Sequence, residues 1–415
     1  VKRCRIALLA TLLLGCAGAE PPPPAAAEQA QRALREQAEP ALRVGTSGDY
    51  VPFSLRAAGG LAGFDVEVAR AYARERGLRI RWVRLRWAEL DRDFAAGAFD
   101  VVMSGVTVRP ERSLAGRFSV PVTTSGLVLL AREGRALRLD GGARLVVNAG
   151  GHLERAARRL FPAAKLRPLS PNAAVREALL AGEADAAVTD TLEAPGWLAG
   201  TSGIETLGPY TRDWKAYWLP ASAGERARDL DAWLLAREAD GTLTALRART
   251  LPESAREATA APLVALGAAI EERFALMPLV AEAKRASGAP VRAPEQERAV
   301  LDAALRSVRE AAAQAGTTPP SEAAVAAFFT ALIDGARESQ EHALAGPPDP
   351  APPVDLERIL RPALARISER IAWLLVRLPP ALDQGEVNAA LTPLGAQGVS
   401  PQTRDRIAAA LRAPR

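Results

Sequence analysis

The chain has 415 residues, 53 Lys and Arg against 48 Asp and Glu for a formal charge of +5, and 48% apolar residues, the composition of a soluble globular protein with room for two or three domains. Its two histidines, His152 and His342, and two cysteines, Cys4 and Cys16, are too few for His/Cys zinc sites, histidine haem ligation or a disulfide framework. Both cysteines lie at the extreme start, which argues against a Cys nucleophile, and a Ser-His-Asp triad could draw only on His152 or His342. Chemistry therefore falls to Asp, Glu, Lys, Arg and hydroxyls. Only a carboxylate-only metal site is left open, and neither a metal nor a cofactor is expected. No basic run interleaved with aromatics points to nucleic acid, so the expected partners are small anionic ligands.

Residues 1–19 combine Lys2, Arg3 and Arg5 with an apolar run from Ile6 to Leu14 and small residues after it, the pattern of an export signal too short to span as a mature helix. Two cleavage readings compete. Leu13-Leu14-Gly15-Cys16 resembles a lipoprotein box that would acylate Cys16 and anchor the chain, whereas Ala17-Gly18-Ala19 suits ordinary cleavage before Glu20. Either way the expected location is the periplasm, and residues 20–40 form a Pro/Ala-rich tether stiffened by Pro21 to Pro24.

From Leu42 to about Pro252, β-type runs alternate with helical patterns: LRVGTS, then GFDVEVARAYARERG, IRWVRL, FDVVMSGVTV, LVLLAR, LVVNAG and DAAVTD. That alternation predicts an α/β domain with mostly parallel sheet over 41–256. Beyond about Glu257, Ala/Leu/Arg/Glu-rich stretches with apolar residues at three-and-four spacing predict an all-helical domain over 257–415. The composition changes within LPESAREATAAP (251–262), so the junction is expected there, with a separate core on each side.

Several motifs of the first half, GDYVPFS (48–54), GFDVEVA (63–69), FDVVMSGVTVRPER (99–112) and FSVP (118–121), resemble in order and spacing the two-lobed periplasmic solute-binding proteins for polar amino acids. The resemblance implies that Arg112 grips a ligand carboxylate beside Thr107, and a guanidinium's parallel N–H donors suit that task. In AAVTDTLEA (186–194), it implies that Asp190 meets a ligand amine. A carboxylate at Glu193 instead resembles the family's enzymatic offshoot, the cyclohexadienyl dehydratases of prephenate or arogenate. Tyr50, Trp87, Asn148, Gly151 and Lys215 are similar to residues of those enzymes, and His152 departs from them, standing where they carry Thr. Expelling hydroxide from C4 of prephenate needs an acid, and a buried Glu193 with a raised pKa would supply it.

The second half resembles the secreted, all-helical chorismate mutases over about residues 262–390. The resemblance implies that Arg273 and Arg361 clamp the two carboxylates of chorismate while Lys284 and Gln340 donate hydrogen bonds to its ether oxygen. Arg273 and Lys284 are expected on one face of a single helix, three turns apart. The rearrangement is pericyclic and needs fixed donors and confinement rather than a base. Two positions depart from the family: Gln296, followed by the matching Glu297, replaces an arginine, and Ala336 replaces a hydroxyl residue. Arg298 is two residues late and points about 200° away on a helix. Both halves together imply an exported chain carrying chorismate to prephenate and prephenate, or arogenate, to phenylpyruvate, or phenylalanine. A lipid-anchored solute receptor with a helical partner module, and a dehydratase with an inactive mutase domain, are the alternatives.

Overall fold

The computed structural model describes residues 41–413, so the leader with Cys16 and the tether lie outside the described residues. Two five-stranded sheets form the two lobes of the first half. In lobe one, Arg79–Arg84, Ala41–Thr46 and Val101–Val102 run parallel, and Trp218–Pro220 and Gly116–Phe118 join antiparallel. In lobe two, Lys165–Leu169, Arg144–Asn148 and Ala186–Asp190 run parallel, followed by Leu127–Arg132 and Ile204–Leu207 in antiparallel sense. The chain crosses between lobes on Thr123–Ser125 and Asp213–Lys215, which pair as a two-stranded ribbon. Each sheet thus pairs three parallel strands with two that join antiparallel, so the expected mostly parallel sheet is mixed.

Local chemistry explains the elements that hold the site. Phe64–Glu75 buries Phe64, Val68, Ala69 and Tyr72 on one face, at helical spacing, and carries Asp65 and Glu67 in its first turn, where the dipole favours them. Leu127 to Ala131 is apolar on both faces because it lies inside lobe two between two strands. The run FDVVMSGVTV yields only a two-residue strand, and its continuation is a loop passing under the cleft, where Thr107 bridges to Lys215.

The second half is helical throughout, with long helices at Pro262–Ala275, Met277–Ser287, Pro294–Ala315, Glu322–Ala345 and Arg361–Leu375. The single helix expected through Arg273 and Lys284 is broken at Leu276. Pro278 has no N–H to give the carbonyl of Phe274, so the ladder is interrupted and two helices result. The expectation of separate cores also fails. One buried apolar cluster runs from Leu42, Val44 and Phe64 of lobe one through Trp233 and Leu251 to Ile270, Phe328 and Ile407, while lobe two keeps its own clusters. Among the described residues, no helix is long and apolar enough to cross a membrane.

Candidate active sites in the cleft and in the helical half

The first site lies between the lobes. Lobe one contributes Tyr50 from its outer hairpin, Trp87 edge-on to Tyr50 with ring centres 5.8 Å apart, and the 105–112 segment. Gly105 has φ +64°, and a Cβ there would stand 2.5 Å from the Tyr50 ring, so only glycine lets the loop pass beneath it. Arg112 is 2% exposed, its guanidinium lies 5.6 Å from the Trp218 ring, and its Nε makes no hydrogen bond. Burial, with Arg109 beside it, pulls its pKa down to about 9, which still leaves it charged at neutral pH. Asp91 lies 3.6 Å from that Nε and also faces Arg109 and, across the lobes, Arg155.

Lobe two contributes Asp190 at the end of its central strand and Glu193 just before a short helix. The Tyr50 hydroxyl donates to Asp190 Oδ2 across the cleft, and Lys215 Nζ lies 3.0 Å from both the Tyr50 hydroxyl and Thr107 Oγ1 and 3.4 Å from Asp190 Oδ2. The other Asp190 oxygen accepts the backbone N–H groups of Leu192 and Glu193 at 2.9 and 3.0 Å, which fixes the turn that presents Glu193. Glu193 is 4% exposed and accepts from Asn172 and, at 2.8 Å, from Thr189. Burial and then the nearby Asp190 charge push its pKa up to about 8, against the opposing pull of those donors and Lys215. Asn148, Gly151 and His152 complete the wall, and His152 Nε2 sits 3.1 Å from Asp213, a placement that ties lobe two to the hinge. The lobes are closed, leaving a cavity of about 50 Å³.

The second site is a larger pocket of about 490 Å³ within the helical half. It brings together Arg273, Lys284, Gln296, Glu297, Gln340 and Arg361 in spite of the helix break. Arg273 is 6% exposed with Nε and Nη1 unpaired, and burial pulls its pKa down to about 10. Lys284 Nζ donates to the Val291 carbonyl at 2.8 Å; burial lowers its pKa, with Glu297 opposing and Arg361 adding to the shift. Gln340 gives its amide N–H to the Ala336 carbonyl at 2.9 Å and leaves Oε1 without a partner, while Arg361 pairs with Glu357. Arg298 is exposed and is not part of the wall.

Two residues at these sites carried no expectation: Asn172, which with Thr189 holds the Glu193 carboxyl, and Arg337, which lines the helical pocket. Thr189 was legible as cleft-facing, four residues before Glu193 in the same motif. Asn172 comes from a distant segment and carried no signal.

Comparison with known proteins finds matches to two stretches of the chain. Residues 42–253 match the model for bacterial extracellular solute-binding proteins, family 3, and residues 264–341 match chorismate mutase type II. The cyclohexadienyl dehydratase of Pseudomonas aeruginosa is 35% identical over 217 residues, which cover 49% of this chain and 79% of that protein. The L-arginine-binding protein of the same organism is 27% identical over 222 residues, covering 51% and 84%. A solved ancestral amino acid-binding protein, described as a precursor of cyclohexadienyl dehydratase, is 29% identical with a TM-score of 0.48, covering 54% of this chain and all of that one.

Proposed function

Because the chain belongs to family 3 of the bacterial extracellular solute-binding proteins and carries a chorismate mutase type II domain behind it, we propose that it is an exported bifunctional enzyme. The helical pocket turns chorismate into prephenate, and the cleft turns prephenate into phenylpyruvate. The observation that carries the cleft's part is Glu193, a buried carboxyl whose pKa of about 8 keeps it protonated at neutral pH beside a cavity walled by cations. A solute receptor has no use for such an acid.

In the proposed step the C1–carboxylate bond breaks to release carbon dioxide. Its electron pair enters the ring, the C4–oxygen bond breaks, and the proton of Glu193 makes the leaving group water. Glu193 is then reprotonated from solvent when the lobes part. Arg112 holds one substrate carboxylate, with Thr107 and Lys215 beside it, and Tyr50 and Trp87 pack against the ring. Entry requires the Tyr50–Asp190 contact to break, with the hinge ribbon at Thr123–Ser125 and Asp213–Lys215 as the pivot.

The substrate reading favours prephenate over arogenate. Asp190, which in amino-acid receptors of this kind meets the ligand amine, here has both oxygens engaged by the protein, with the Lys215 ammonium 3.4 Å away. An arogenate ammonium would compete with Lys215 for that carboxylate, whereas the keto acid of prephenate brings no cation. In the helical pocket Arg273 and Arg361 hold the two carboxylates of chorismate, Glu297 meets its hydroxyl, and Lys284 and Gln340 face the ether oxygen where negative charge develops. The lipid anchor at Cys16 belongs to the same proposal, and loss of labelled fatty acid in Cys16→Ser tests it.

Incubating the purified chain with chorismate and following phenylpyruvate tests the whole reading. Phenylpyruvate should form from chorismate and from prephenate, with arogenate a poorer substrate by kcat/KM. Chorismate binding with no turnover at either site would favour the receptor reading.

A further inference from the structure

The helical pocket lacks a cation at Gln296, and the structure shows where a replacement comes from. Ile333, Ala336, Arg337 and Gln340 all line the pocket, the spacing of one helix face. Arg337 reaches from that face toward the Pro294–Ala315 helix, where its Nη1 lies 3.4 Å from Glu297, the neighbour of Gln296. That contact is long for a charge-assisted hydrogen bond, which closes to about 2.7–2.9 Å when well formed. The other guanidinium nitrogen is held by Asp334, one turn back on the same helix, so the side chain is aimed without being saturated. Resting on the mutase reading of the pocket, we infer that Arg337 supplies the cationic contact to the chorismate anion that Gln296 does not, from the opposite helix.

The other pocket cations are placed differently. Arg361 is paired with Glu357, and Lys284 gives one of its three N–H donors to the Val291 carbonyl at 2.8 Å and keeps the others for the ether oxygen, whereas Arg273 has Nε and Nη1 unpaired but is fixed in the wall by burial. With the two ligand carboxylates at Arg273 and Arg361 and the hydroxyl at Glu297, a further polar contact is left at the Gln296 end. There Arg337 is the guanidinium within reach, exchanging its long bond to Glu297 for one to the ligand. A guanidinium entering from the facing helix also accounts for a glutamine standing at 296.

The test uses the full chain. Losing one hydrogen bond to a charged group should raise the KM for chorismate about tenfold to a hundredfold in Arg337→Gln. Turnover of prephenate by the cleft should not change. Adding Gln296→Arg to that variant should bring KM back to within a few fold of wild type, which a purely structural interhelical bridge would not do. Arg337→Lys, which keeps the charge and loses the fork, should recover part of the loss. An unchanged KM in Arg337→Gln overturns the assignment, as does a loss that follows a lowered melting temperature and is not rescued by Gln296→Arg. A wild-type chain that consumes no chorismate removes the mutase reading and this assignment with it; one that does, with an insensitive Arg337, removes the assignment alone.

Discussion

Glu193 concentrates the chemistry of the cleft in one titration. Its carboxyl has to be protonated to act, and its pKa of about 8 makes the acid form dominant through neutral pH. Dehydratase kcat/KM should therefore be flat toward neutrality and fall about tenfold per pH unit above about 8. Glu193→Gln should lower kcat by about 10² to 10⁴ while prephenate still binds, and steady-state rates with a binding titration check both. The same shift has a signature in stability. A carboxyl whose folded pKa stands above its ordinary value of 4.5 holds a proton that the unfolded chain has released. That contribution is fully present below about 4.5 and is lost as the pH rises through 8. Glu193→Gln has no such loss, so its melting temperature should gain on the wild type as the pH goes from 5 to 9. A constant difference would mean that Glu193 titrates as an ordinary carboxylate.

Among the elements, closure of the cleft depends on the turn that ends the Arg144–Asn148 strand. Gly150 has φ +73°, and a Cβ there would lie 2.7 Å from the Ala88 Cα of the opposite lobe. Gly150→Ala meets both a strained backbone and a backbone clash, so the lobes should stop short of contact. Prephenate turnover should drop at least tenfold, with chorismate consumption unchanged, and parallel kinetics on the two substrates read the difference. The glycines after LVVN were visible in the sequence as a place where the backbone can approach a ligand, whereas the close approach that Gly150 permits is to Ala88 of the other lobe. The hinge was not visible. Thr123–Ser125 and Asp213–Lys215 are too short to show a period of two, and each is a strand only because the other, far away in sequence, pairs with it. For the same reason Lys215 was found through its resemblance to a motif, and Asn172 was missed altogether. In the helical half the periodicity located the helices, yet the proline at 278 broke a helix through which the apolar pattern ran on unchanged.

At the scale of the molecule, the two halves do not act as beads on a string. Arg366 of the Arg361–Leu375 helix donates to the Ser113 and Leu114 carbonyls at 3.2 and 3.0 Å, capping the end of the short helix that carries Arg112. One turn on, Arg370 donates to the Phe118 carbonyl and to Glu272, the neighbour of Arg273 in the helical pocket. On the preceding residue, Glu271 accepts the Trp214 indole N–H at 2.8 Å, one position before Lys215 of the cleft. The helix Pro262–Ala275 therefore touches the hinge, the domain interface and the helical pocket with three consecutive side chains, over a buried cluster shared with lobe one. Arg370→Ala would leave Glu272, 6% exposed, as an unpaired buried charge, a change that costs roughly 3–5 kcal/mol when a buried pair is broken from one side. Because lobe one and the helices share that core, the loss should not stay in one domain. Calorimetry should show their joint transition moving down by several degrees. Residual activity after heating should fall for chorismate and prephenate together, at matching temperatures. Mutase activity lost well before dehydratase activity would mean that the halves unfold independently and that the interface is a surface contact. Coincident loss makes the interface part of the fold, and with it the position of the Arg112 helix becomes a property of the helical half as much as of the cleft.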